Sequence, residues 1–162
     1  MSIAAASVVE ADTITEAGLV WRIKASFVDY IEAMPDGRVH VSDGARSTDD
    51  GFFFPSAGTD NAGTESFSGT VSFNGHHGLL CINITDPTVL AATGSRPRTI
   101  EIADTISPGG RLQLARLVSV PEAAPSAATR TYQPRLTDAG SDLFFERYPA
   151  GTVLDNLVIH RR

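Results

Sequence analysis

Apolar and polar residues alternate along most of this chain with a period of two, the mark of strands that cover one face. The alternation is sharp at residues 19–24, where Leu19, Trp21 and Ile23 interleave with Val20, Arg22 and Lys24. The period then changes. Phe27, Tyr30, Ile31 and Met34 follow helical spacing, and Pro35 and Gly37 end the run. Ser26 and Asp29 form an S-x-x-D box, which reads as the N-terminus of that helix. Its apolar face carries one phenol, so Tyr30 is expected to point inward with a hydroxyl that needs a partner.

Further strands are expected at residues 38–42, turned by Asp43-Gly44, and at Phe52, Phe53 and Phe54, stopped by Pro55. Those three rings read either as core or as the wall of a flat apolar pocket. Residues 56–65 are a Gly/Thr/Asp/Asn loop. Phe67, Gly69, Val71 and Phe73 then share one strand face, and Asn74-Gly75 predicts a type I′ hairpin turn into residues 79–85. More strands are expected at residues 88–92, 99–102, 111–118 and 153–160. Residues 121–128 form a Pro/Ala/Ser loop, and Thr137 caps a second short helix carrying Leu143, Phe144 and Tyr148. The fold class is therefore mainly β: an antiparallel sandwich or barrel-like sheet with two short α-helices. Residues 1–17 are expected as an N-terminal arm and residues 18–162 as a single domain.

Composition narrows the function classes. Thirteen Lys and Arg against nineteen Asp and Glu give a net charge of −6, with no basic stripe. Nucleic acid and anionic membrane are not expected partners, since both need concentrated positive charge. Cys81 is the one cysteine of the chain, so no intrachain disulfide can form. No apolar run approaches the roughly 20 residues of a membrane-spanning helix, so membrane insertion is not expected. The start lacks a basic segment ahead of its apolar residues. As the sequence stands, the expectation is a cytoplasmic protein; a trimmed precursor would instead be extracellular or held at the cell surface.

No G-x-G-x-x-G, P-loop, G-x-S-x-G, H-E-x-x-H or C-x-x-C motif occurs. What remains is Gly75-His76-His77-Gly78 at the hairpin head. Adjacent strand residues point to opposite faces, so at most one of these histidines can look inward. The plain reading of that one is a turn histidine bonded to backbone. His40 and His160 alternate with apolar neighbours and should face solvent. The sharper reading pairs the inward histidine with Tyr30. A phenol beside an imidazole can give up its proton, and phenolate is one of the axial ligands that hold haem iron.

Leu19 through Tyr30, Ser68 through Gly78 and residues 136–152 together resemble the signature of the HtaA domain of haem-uptake proteins. The resemblance spans about residues 18–160. It implies a mostly β fold with two short helices and one haem in an apolar pocket. It also implies Tyr30 as the axial metal ligand, with His76 hydrogen-bonded to its oxygen, although His77 could compete for that role. Phe27, Phe52, Phe54 and Tyr148 are the candidate pocket walls by spacing. The expected partner is haem or another flat apolar small molecule, in a non-catalytic binder, and a homodimer is left open. The rival reading is a cofactor-free enzyme for a small hydrophobic metabolite, such as a cyclase of secondary metabolism.

Overall fold

The chain closes on itself through its first strand. The computed structural model describes residues 16–121 and 128–161. In chain order these form β1 (Gly18–Trp21), α1 (Ala25–Glu32), β2 (Arg38–Ser42), β3 (Arg46–Thr48) and β4 (Gly51–Thr59). Then come β5 (Glu65–Phe67), β6 (Thr70–Gly75), a 3-10 turn (His76–Gly78), β7 (Leu80–Thr85), β8 (Thr88–Leu90) and β9 (Thr99–Ala103). The chain ends with β10 (Arg111–Ser119), β11 (Thr129–Leu136), α2 (Asp138–Leu143) and β12 (Leu157–His160).

One edge of β1 pairs with β12 and the other with β4, so the order β1-β12-β11-β10-β9-β8-β5-β4 closes into an antiparallel, barrel-like sheet. Closure satisfies edges that would otherwise stay open. An eight-stranded barrel has an interior just wide enough for side chains, and here Leu19, Trp21, Phe54, Ile100, Leu114 and Leu157 occupy it, all fully buried. At the far end of β4 the buried Glu65 carboxylate takes both Nε and Nη2 of Arg161, at 2.9 and 2.8 Å. A second sheet, of order β2-β6-β7, stands beside the barrel. The chain passes from one to the other at Gly69, whose φ of +125° suits glycine; a Cβ there would also lie 2.7 Å from that of Ala45.

Several local expectations change in the structure. The strand at the three phenylalanines runs on through Pro55 to Thr59. Its proline, which has no N–H to give, sits where β4 changes partner from β3 to β5, and its carbonyl accepts from Ser68 N–H at 2.9 Å. The expected loop at 56–65 shrinks to residues 60–64, where the Asp60 carboxylate accepts from the N–H groups of Ala62 and Thr64. β11 falls on a segment that Pro134 and two arginines disguised. His160, expected in solvent, is half-buried on β12, and burial holds its imidazole below the usual range. Thr137 does cap α2, accepting from Gly140 N–H at 2.9 Å. Residues 1–15 of the expected arm and 122–127 of the expected loop lie outside the described residues. Glu16 and Ala17 are tied down, the first to Arg46 at 3.1 Å and the second to Ser56 N–H at 3.0 Å.

The corner between β1 and α1 fixes the site. Ile23 there has φ of +67°, unusual for a β-branched residue. Asp155 ties the corner with three hydrogen bonds. Its N–H donates to the Ile23 carbonyl at 3.0 Å, its carbonyl accepts from Trp21 Nε1–H at 2.8 Å, and its Oδ2 accepts from Ala25 N–H at 3.2 Å. Lys24 occupies the N-cap position of α1 without a side-chain capping bond, and Ser26 lies exposed inside the helix. The S-x-x-D box is therefore not the cap. A carboxylate distant in sequence does that work.

Asp155→Ala is expected to lower stability by about 0.5–2 kcal/mol, the range for losing a helix cap. A urea midpoint that falls with an unchanged slope would show it. Asp155→Asn, which keeps an acceptor oxygen, should lose less.

Candidate functional site: a tyrosine–histidine pair at an apolar pocket

With the corner set, α1 buries Phe27 and Ile31. Phe27 packs edge-on against Phe73 of β6 and against Phe144, each at 5.2 Å between ring centres. Three residues on, Tyr30 continues along that face and is half-buried. Its ring joins the apolar cluster while its hydroxyl reaches the surface.

The hairpin meets it there. β6 stays extended through Gly75, which pairs with Leu80, so the turn lies beyond Asn74-Gly75 at His76–Gly78. His76, His77 and Gly78 all have left-handed backbone, with φ of +51°, +57° and +88°. The sequence signal for a type I′ turn thus misplaced the turn by two residues. Gly75 is needed for another reason: a Cβ there would lie 2.7 Å from the Met34 sulfur at the end of α1. Consecutive left-handed residues also break the strand alternation on which the two histidines were sorted. His76 Nε2 lies 2.7 Å from Tyr30 Oη. His77 turns away, with 94% of its side chain exposed.

What holds the turn is Asp36, from the loop after α1. Its Oδ2 accepts from His77 N–H at 2.6 Å and stands 3.9 Å from His77 Nδ1. That backbone hydrogen bond keeps the Asp36 carboxyl below its usual value of 3.8. Non-glycine residues in this conformation cost free energy, and such strain persists only where neighbours over-determine it.

Tyr30 and His76 stand at the wall of a pocket of about 390 Å³. Phe27, Leu80, Ile82 and Phe144 form its apolar floor, and Leu79, Phe145 and Arg147 its rim. Leu79 and Phe145 are 83% and 60% exposed, an unusual placement for large apolar groups and one that leaves the mouth open. The volume falls within the roughly 300–1,000 Å³ typical of small-molecule sites. Arg147 lies over the Tyr30 ring, 3.8 Å from its centre.

Of the expected walls, Phe27 lines this pocket. Tyr148 stands behind it, edge-on to Phe27 and Phe144 at 6.3 and 5.8 Å. Phe54 is sealed in the barrel, and Phe52 lines a separate cleft with Arg22, Asp29 and Glu32 on the other side of α1. The aromatic run on β4 thus serves the core, because β4 is a barrel strand with both edges paired. Leu80 and Ile82 were missed although their register was readable, since alternate residues of β7 share a face; Phe144 stands at the C-cap of α2. Leu79, Phe145 and Arg147 sit in or after left-handed turns that no periodicity marks.

Comparison with known proteins agrees with this architecture. The HtaA family model, described as Htaa, matches residues 16–160. The crystal structure of the C-terminal domain of HtaA from Corynebacterium glutamicum is 25% identical, with a TM-score of 0.65, covering 90% of this chain and 94% of that one. The haem-binding protein HtaB of the same organism shares the fold at 21% identity and a TM-score of 0.68, over 88% of this chain and 90% of its own. The N-terminal domain of HtaA does so at 21% and 0.69, over 93% and 99%. No curated protein matches the chain. No helix among the described residues is long and apolar enough to cross a membrane.

Because the folded Asp36 carboxyl titrates below its unfolded value, its hold on the turn is complete above that unfolded value. The hold is lost as pH falls through the lower, folded one. The His77 amide resonance should follow that acid titration by NMR. In Asp36→Ala the titration should vanish, and the His77 amide should exchange faster at neutral pH.

Proposed function

The chain belongs to the HtaA family, and on that premise we propose that it is a haem-binding module whose Tyr30 oxygen ligates ferric iron. The observation that carries this reading is the 2.7 Å contact between Tyr30 Oη and His76 Nε2 at the wall of an apolar pocket. The donor set suits the group. A phenolate is an anionic oxygen ligand for haem iron, and the floor of Phe27, Leu80, Ile82 and Phe144 offers apolar surface to a flat macrocycle. HtaB, named a haem-binding protein, shares the fold.

Haem, when bound, supplies a redox-active iron centre. The remaining work belongs to the chain. His76 is placed to accept the phenol proton at Nε2, or to donate Nε2–H to the phenolate oxygen once it is ionised. Either bond orients the oxygen and sets how much negative charge it carries, as hydrogen bonds to a ligating atom do. Asp36 holds the histidine turn in register through His77 N–H. Phe27, its ring centre 6.3 Å from that of Tyr30, covers the buried side of the Tyr30 ring. The family match does not favour the cofactor-free cyclase.

Hemin added to the purified protein should give a Soret band with tyrosinate charge-transfer bands, and Tyr30→Phe should abolish the latter. His76→Ala should keep the ligand but weaken binding about 10- to 100-fold, the usual effect of removing a group bonded to a ligating atom. An unchanged spectrum in Tyr30→Phe would refute the ligand assignment.

A further inference from the structure

After α2 the chain reverses through Phe145 and Glu146, both left-handed with φ of +56° and +60°. Glu146 N–H donates to the Ser141 carbonyl at 2.8 Å and Arg147 N–H to the Phe144 carbonyl at 3.0 Å. The reversal carries Arg147 back across the pocket mouth, where its guanidinium carbon stands 3.8 Å from the centre of the Tyr30 ring. A guanidinium over an aromatic face is held by the ring quadrupole, and its N–H donors point outward from its edge. The contact orients the cation without using those donors.

Among the described residues nothing acidic pairs with them either. The ion pairs among the described residues engage Arg46, His77, Arg111 and Arg161, and Arg147 is in none of them. Arg46 makes a useful contrast. It too lies over a ring, that of Phe53, but it also pairs with Glu16 at 3.1 Å. No Asp or Glu lines the Tyr30 pocket. A protein of net charge −6 therefore presents a permanent cation, unneutralised, at the rim of an apolar cavity.

We propose that Arg147 is the anion anchor of this pocket, and that the pocket selects flat apolar ligands bearing a carboxylate at their edge. The inference rests on the haem reading above and deepens it: a planar guanidinium fork matches a carboxylate in two-point geometry, which an ammonium does not. Arg147 then sets the orientation of the macrocycle in its plane, while Tyr30 sets its distance.

The test compares hemin with its dimethyl ester, both delivered in the same dilute non-ionic detergent, by Soret titration. Wild type should bind the diacid about two- to fivefold more tightly than the ester, a ratio consistent with one exposed ion pair. The preference should shrink as salt rises. Arg147→Gln should bind both alike while retaining tyrosinate bands, and Arg147→Lys should regain part of the preference. Equal affinities of wild type for the two ligands, or a preference that survives in Arg147→Gln, would overturn the anchor while leaving haem binding intact. Failure of wild type to bind either ligand would overturn both readings.

Discussion

Asp155 decides where α1 goes. A strand that continued past Trp21 would run on along the barrel, and Phe27 and Tyr30 would never reach the second sheet. Instead Ile23 takes a left-handed conformation that a β-branched residue avoids. One aspartate offsets the cost by bonding to Ile23, Trp21 and Ala25 together. Those bonds join the last loop of the chain to its first corner. The position of the Tyr30 oxygen thus depends on contacts 130 or more residues apart in sequence.

The opposite side of the pair is built on the same principle. His76 and His77 occupy backbone that glycine would adopt with less strain, and Asp36 fixes them from a loop belonging to α1. Both partners of the 2.7 Å contact are therefore referred to one helix: Tyr30 is on it, and the histidine turn is pinned to the loop that leaves it. Rotation of α1 would carry both together. A pair held in this way has its geometry fixed by the surrounding hydrogen bonds.

Much of this was legible in the sequence, and the misses have physical causes. Period-two alternation located most of the strands, because the barrel covers their inner faces and leaves most of the outer ones wet. The helical face of Phe27, Tyr30 and Ile31 was equally plain. Asn74-Gly75 misled because glycine has two uses. Here it makes room for Met34, and the turn falls on histidines that local propensity would not choose. The phenylalanine run reads as either core or pocket wall because closure of the barrel through β1, a long-range pairing, is not written in local pattern. Asp155 was invisible as a cap for the same reason. Arg147 lies beyond a reversal that periodicity cannot follow.

The alternation of β7 leaves the chain one practical gift. Leu80 and Ile82 face the pocket, and Cys81 between them faces out, exposed and unpaired. As the sole thiol of the chain it accepts a fluorophore without mutagenesis. A dye attached there would sit a strand's thickness behind the floor of the cavity, close enough for energy transfer to an absorbing occupant and outside the space that occupant fills.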